Sequence, residues 1–195
     1  MDPVLVSTAV PFGVVFLAEL GDKSQLLALT FATRYRVLPV LVGIAIGTSL
    51  VNLVSVAIGH GLGAALPTGW INLTAAVAFL AFGVWALRGE TLTEEDQDRV
   101  ERAGKRAVVA VAVAFFLAEL GDKTMLATIT LTTRYGWPAT WLGATAAIVA
   151  AAGLAIAVGR FLGRRLPERA LAYGAAALFL GFGVWLGIEG IAELT

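Results

Sequence analysis

The stretch Phe16-Leu17-Ala18-Glu19-Leu20-Gly21-Asp22-Lys23-Ser24 returns 100 positions later as Phe116-Leu117-Ala118-Glu119-Leu120-Gly121-Asp122-Lys123-Thr124. The first eight residues of the two copies are identical, and both copies are set in long runs of Leu, Ala, Val and Phe. Ionisable side chains at membrane depth are costly, so their presence there points to function. At helical pitch Asp22 and Lys23 fall on the face of Glu19, and Asp122 and Lys123 on that of Glu119. Each copy carries two acids and one base, so two facing copies sum to −2, the complement of one divalent cation.

The composition around the motif is that of an integral membrane protein, all-α, with the lipid bilayer as its surroundings. The 195 residues are 58% hydrophobic and 14% charged, with mean hydropathy +0.85. A soluble domain runs at about 45–50% and about 25%. Net charge is zero, which leaves no electrostatic case for a nucleic-acid partner. The chain has no cysteine, so disulfide scaffolds, thiol relays and thiolate metal sites are excluded. A single histidine, His60, argues against an imidazole-built zinc or copper site. It reads as interfacial, since its counterpart in the repeat is Arg160, which binds no metal. Met1-Asp2-Pro3 lacks the basic start of a signal peptide, so the first apolar run is expected to stay as a permanent span.

Six runs reach the roughly 20 apolar residues that a bilayer crossing needs: 4–32, 38–60, 68–88, 106–132, 138–160 and 169–191. Pro39, Pro67, Pro138 and Pro167 mark their junctions. The first and fourth runs are too long. About 29 residues make about 43 Å of helix against a hydrocarbon core of about 30 Å. These helices either tilt steeply or break at the motif, where Gly21 and Gly121 are the places to unwind. A break at the midplane would leave carbonyls for a cation, a device of many transporters.

The repeat extends beyond the motif. Thr33-Arg34-Tyr35 matches Thr133-Arg134-Tyr135, Gly59, Gly63 and Pro67 match Gly159, Gly163 and Pro167, and Phe82-Gly83-Val84-Trp85 matches Phe182-Gly183-Val184-Trp185. The reading is two three-helix repeats, 1–90 and 106–195, joined by a linker at 91–105. An odd number of spans makes the copies run in opposite directions through the membrane. Positive charge orients them. With the N-terminus outside, Arg34, Arg36, the five basic residues between Arg88 and Arg106, and Arg160, Arg164, Arg165 and Arg169 are all cytoplasmic. That is eleven of 14 basic residues, against Arg134 alone outside, with Lys23 and Lys123 within the membrane. Both termini are therefore expected outside, and the hydrophilic stretch 88–106 is expected as a cytoplasmic connector.

Glu19, Asp22, Glu119 and Asp122 read as oxygen ligands for a cation in transit. Structural Glu–Lys pairs are the weaker reading, because apolar residues would pack as well without the desolvation cost. Hard oxygens suit Mg²⁺, Ca²⁺ and Mn²⁺, and protons compete with a metal for carboxylates crowded at low dielectric. Lys23 and Lys123 act either as counter-ions that swing away on loading or as permanent partners of Glu19 and Glu119. Ser24 and Thr124 either ligate or, the preferred reading, satisfy backbone opened by the break. Gln25 and Met125 are equivalent positions, and a thioether beside the site would favour Mn²⁺ over Ca²⁺. Thr48, Asn52 and Ser55 share a face of the second span, where they line a path or bond between helices; their counterparts Ile148, Ala152 and Ala155 are apolar. Gly43/Gly47, Gly59/Gly63 and Gly159/Gly163 have the spacing of close helix approach, and Trp85 and Trp185 that of interfacial anchors.

The doubled Glu-Leu-Gly-Asp-Lys-[Ser/Thr] motif in a six-span chain resembles the divalent-cation exporters and proton antiporters of Golgi, chloroplast and bacterial membranes, which are related in fold to the lysine exporters. The resemblance covers both halves and includes Arg34-Tyr35 and Arg134-Tyr135. It implies export of Mn²⁺, or Ca²⁺, in exchange for H⁺, with the four motif acids as cation site and no permanent cofactor. The alternatives are another cargo (Ca²⁺ or an organic cation such as an amino acid) and a passive cation channel; an intramembrane hydrolase has no signature here beyond the acids. The chain lacks the N-terminal extension of the organellar members, so a prokaryotic plasma membrane is expected. A duplicated chain supplies both halves of a site, so a monomer and a homo-oligomer satisfy it equally.

Overall fold

The computed structural model describes residues 3–65, 67–87, 107–162 and 168–194. The linker 91–105 and the basic side chains from Arg88 to Arg106 and from Arg160 to Arg169 lie outside the described residues, as do the Trp85 side chain, Gly163 and Pro167. Eight helices account for nearly all of the described chain: α1 (Pro3–Glu19), α2 (Lys23–Arg34), α3 (Val37–Ala65), α4 (Thr68–Ala86), α5 (Ala107–Glu119), α6 (Lys123–Tyr135), α7 (Trp137–Leu162) and α8 (Glu168–Leu194). They coincide with the six apolar runs because two of those runs are broken, α1 from α2 and α5 from α6, three residues apart in each case. The expectation of a single helical face carrying Glu19, Asp22 and Lys23 is therefore corrected. Glu19 ends one helix, Asp22 lies in the turn, and Lys23 begins the next.

The break is dictated locally. Gly21 and Gly121 have φ of 83° and 79°, a region that glycine enters without steric cost. Asp22 is the N-cap of α2, its Oδ2 accepting the Ser24 N–H at 3.0 Å, so the turn restarts a helix at once. Pro39 and Pro138 sit in the first turns of α3 and α7, where a missing N–H is harmless.

α3 and α7 are long and apolar enough to cross a bilayer. The polarity of α3 is inverted relative to a soluble helix. Its buried face includes Gly43, Gly47, Thr48, Asn52, Ser55 and Gly59, while Leu38, Val42, Ile46, Leu50, Leu53 and Ile58 are exposed. Small and polar residues inside with bulky apolar residues outside is the pattern of helices packed in lipid.

The halves pack crosswise, and the contacts recur with the halves exchanged. α1 packs on α7 and α5 on α3, while α4 packs on α8. A Cβ at Gly43 would meet Val108 and Val111, and one at Gly143 would meet Thr8 and Pro11, the same positions 100 residues apart. Gly83 lies against Leu180 as Gly183 lies against Leu80. A larger core of Val15, Phe31, Ile44, Phe115 and Ile148 sits between the broken helices and α3 and α7. A smaller one around Phe79, Ala176 and Leu186 joins α4 and α8 to Ala18 of α1 and Ala127 of α6.

Gly47→Ala should cost about 1–3 kcal/mol of stability, because its Cβ would run into the Ala112 carbonyl of α5. Gly13 has nothing within 4 Å of a built Cβ, so Gly13→Ala should be neutral or stabilise by up to about 1 kcal/mol through helix propensity. Melting temperatures of the two variants in one detergent decide it.

Candidate metal centre

Each broken helix delivers a glutamate as the last residue of its first segment, and the crosswise packing brings the two ends together. One carboxylate oxygen from each of Glu19, Asp22 and Glu119 lies within 4.8 Å of the others. All three residues are at most 2% exposed. Two oxygens on opposite sides of a cation are about 4.2 Å apart for Mg²⁺ and about 5 Å for Ca²⁺. The cluster therefore has the diameter of one divalent coordination shell.

Hydroxyls from the restarted helices hold the glutamates. Ser24 Oγ donates to Glu19 Oε2 at 2.6 Å, and Thr124 Oγ1 donates to Glu119 Oε2 at 2.9 Å. This corrects the expectation that Ser24 and Thr124 serve the backbone. A hydroxyl two residues after the N-cap points back across the break, where the carboxylate is the strongest acceptor in reach. The opened backbone is served instead by the next residue. The Gly21 N–H donates to Gln25 Oε1 at 3.0 Å and the Gly121 N–H to Met125 Sδ at 3.2 Å. Met125 is thus a backbone cap, which removes the reason for reading its thioether as a cation ligand. Nor does the break free all the carbonyls expected for a cation. Glu19 O accepts from the Asp22 N–H at 3.1 Å, and Asp22 O from the Gln25 N–H at 3.1 Å. The ligand atoms that the structure brings together are carboxylate oxygens.

The lysine of the second copy reaches across. Lys123 Nζ is ion-paired with Asp22 Oδ1, and both side chains are buried. This differs from a self-contained Glu119–Lys123 pair, and its cause is tertiary: α6 starts beside the turn of the other half. Lys23 is half-buried. Asp122 departs from its twin in two ways. It lies outside the set of three clustered acids, and its side chain makes no capping hydrogen bond to α6. Among the described residues, Glu19 Oε1 and Asp122 Oδ2 are buried oxygens without a hydrogen-bond partner.

Below the acids, Asn52 of α3 joins three helices. Its Nδ2 donates to Thr145 Oγ1 on α7 at 3.1 Å, and Thr128 Oγ1 on α6 lies 3.5 Å from its Oδ1. Thr128 and Thr145 were not singled out in the sequence, although Thr124, Thr128 and Thr132 recur at a one-turn spacing that marks a polar stripe. Thr48 and Ser55 are buried and donate to carbonyls one turn back. His60 lies apart, exposed on the C-terminal part of α3 in a groove of about 230 Å³ with Leu53, Val56, Ala57 and Trp137. Arg134 pairs with Glu189 through both nitrogens and lies 4.8 Å from the ring centre of Trp185.

A family described as the divalent cation/proton antiporter GDT1 matches this chain twice, over residues 7–94 and 107–194. The chain belongs to the GDT1 family. The two matches are offset by 100 residues, the spacing of the motif. GDT1 proteins are divalent cation/proton antiporters, so the acids stand in a family of transporters and not of enzymes. A Vibrio cholerae protein named "Putative manganese exporter" is 31% identical over 91% of this chain and 88% of its own length. A GDT1-like protein of Synechocystis is 30% identical over 88% and 91%. The chloroplastic protein PAM71 of Arabidopsis thaliana is 31% identical over 88% of this chain, which spans 54% of PAM71. No solved structure matches the chain.

Thr124→Val keeps the volume and removes the donor to Glu119, which should cost about 1–3 kcal/mol by leaving a buried carboxylate short of a partner. Gly121→Ala should cost about 1–2 kcal/mol through φ alone, since a Cβ there meets nothing within 4 Å. Gly121→Asn should cost less, because asparagine tolerates positive φ. Thermal unfolding of the three variants in detergent tests the assignments.

Proposed function

We propose that this GDT1 protein is a secondary transporter that exports Mn²⁺ in exchange for H⁺ by alternating access, with Glu19, Asp22, Glu119 and Asp122 as the cation site. The convergence of Glu19, Asp22 and Glu119 at two helix breaks carries the reading. The manganese exporter named among its relatives supports the cargo. The architecture that suits it is six spans as two inverted three-helix repeats, 1–90 and 106–195, in a prokaryotic plasma membrane. Both termini are then outside and the linker 91–105 is cytoplasmic.

The cation is the substrate, and the residues act on it through charge. Before loading, the Lys123 ammonium holds Asp22 in place and offsets part of the negative charge of the cluster. An arriving divalent ion takes the carboxylate oxygens and displaces that ammonium. Ser24 and Thr124 keep the two glutamates aimed at the ion, since each anchors one oxygen and leaves the other to ligate. Protons reaching the same oxygens from the far side discharge the ion, which couples the two fluxes. Ca²⁺ is the second reading, because a 4.8 Å spread suits its larger shell without contraction.

Two measurements test this. In proteoliposomes of purified protein, Mn²⁺ uptake should be matched by proton movement in the opposite direction. It should slow as the loading side is acidified, and it should fall to background in Glu119→Gln. Uptake of Ca²⁺ alone would change the cargo, and transport by Glu119→Gln at the wild-type rate would remove the site. For the topology, a single cysteine introduced as Gln97→Cys should react with an impermeant thiol reagent in inverted vesicles and be protected in intact cells.

A further inference from the structure

The two halves are alike in backbone and contacts, yet the seams that lead away from the acids differ in chemistry. Along α6, Thr124, Thr128 and Thr132 stand one turn apart on one face, and Asn52 and Ser55 of α3 are buried beside that face. All five are at most 3% exposed. Advancing by 100 residues, or stepping back by 100, gives the twin seam between α2 and α7. There Ala28 and Ala32 replace Thr128 and Thr132, and Ala152 and Ala155 replace Asn52 and Ser55. The seams are structural equivalents: Gly59 of α3 abuts Ile129 of α6 as Gly159 of α7 abuts Leu29 of α2. In the twin seam the polar link is Gln25, whose Nε2 donates to Ala151 O at 3.5 Å beside the acids.

Helix adhesion does not account for the difference, because alanine performs the same packing in the twin seam. The hydroxyls of Ser55, Thr128 and Thr132 donate to carbonyls one turn back, which satisfies them with the seam closed. A hydroxyl that donates keeps its lone pairs for a cation or for the water around one. Asn52 holds a carboxamide oxygen between three helices. A divalent cation sheds its hydration stepwise, exchanging waters for oxygens of similar field strength. A seam of hydroxyl and carboxamide oxygens suits that exchange, and a seam of methyl groups stays dry.

We propose that the α3–α6 seam is a hydrated half-path to the acids, with Asn52 and Thr128 as transient oxygen partners of the moving cation, and that the α2–α7 seam stays dry. The inference rests on the transport reading above. In the orientation proposed there, α6 and the second half of α3 run from the level of the acids towards the extracytoplasmic side, so the hydrated half-path is the exit.

The absence of native cysteine makes the test direct. Single cysteines are placed as Asn52→Cys, Ser55→Cys and Thr128→Cys in one seam, and as Ala152→Cys, Ala155→Cys and Ala28→Cys in the other. The full-length protein in liposomes is treated on both sides with a small cationic methanethiosulfonate, with and without Mn²⁺. Thiolate forms readily only where water reaches it, so the first set should react at least about tenfold faster than its twins. Mn²⁺ should slow the reaction at 52 and 128. Equal rates in the two seams, faster reaction in the alanine seam, or no reaction at any position would overturn the proposal. Asymmetric reaction without Mn²⁺ protection would keep the hydrated seam and overturn Asn52 and Thr128 as partners of the cation, while the cargo stays with the proteoliposome assay. If Asn52→Cys fails to fold, Ser55→Cys and Thr128→Cys decide the question.

Discussion

Carboxylates withdrawn from water must be answered by charge or by hydrogen bonds, or they stay protonated and bind nothing. The break at Gly21, the two hydroxyls and Lys123 serve that requirement. A continuous helix would hold Glu19 and Asp22 on its side, with no backbone N–H to offer them. Breaking the helix at Gly21 converts Asp22 into an N-cap that accepts from Ser24, and it turns the Ser24 hydroxyl back onto Glu19. The other half repeats the hydroxyl contact at Thr124 and Glu119. Lys123, arriving from the opposite half, supplies the opposing charge at Asp22. The structure thus spends two helix breaks on two glutamates.

The breaks constrain everything packed around them. Two helix ends can meet only if the neighbouring helices let them approach, and glycine supplies the clearance. Gly47 admits the Ala112 carbonyl of α5, and Gly143 admits the Thr8 carbonyl of α1. The same closeness explains why α3 and α7, the two described helices long and apolar enough to cross a bilayer, have small inner faces. They are the walls against which the broken helices lie. α4 and α8 pair with each other around a second core that also takes in Ala18 of α1 and Ala127 of α6.

Duplication makes the halves equivalent in shape without making them equal in chemistry. Asp22 caps and clusters where Asp122 does neither. Gln25 and Met125 perform one capping task with different atoms. Asn52 and Ser55 have alanine as counterparts. Under the alternating access proposed above, identical half-paths are not needed, because the ion would be taken up and released under different conditions on the two sides.

Much of this was legible in one dimension. The offset of 100 residues, the excess length of the first and fourth runs, the acid and base count and the glycine at the centre of each motif are local properties. They sufficed for an all-helical membrane chain, a duplicated unit, Gly21 and Gly121 as the places where a helix that did not tilt would break, and a set of candidate acids; that both helices do break was decided by the structure. The partnerships were decided by tertiary structure. Which hydroxyl meets which glutamate depends on the direction of the restarted helix. That Lys123 answers Asp22 of the other half, that Asp122 falls outside the cluster, and that Thr128 and Thr145 gather at Asn52 all depend on how two halves close on each other. Sequence spacing measures distance along one helix, whereas these contacts lie across helix pairs, where a rotation or a shift of a single residue would choose different partners.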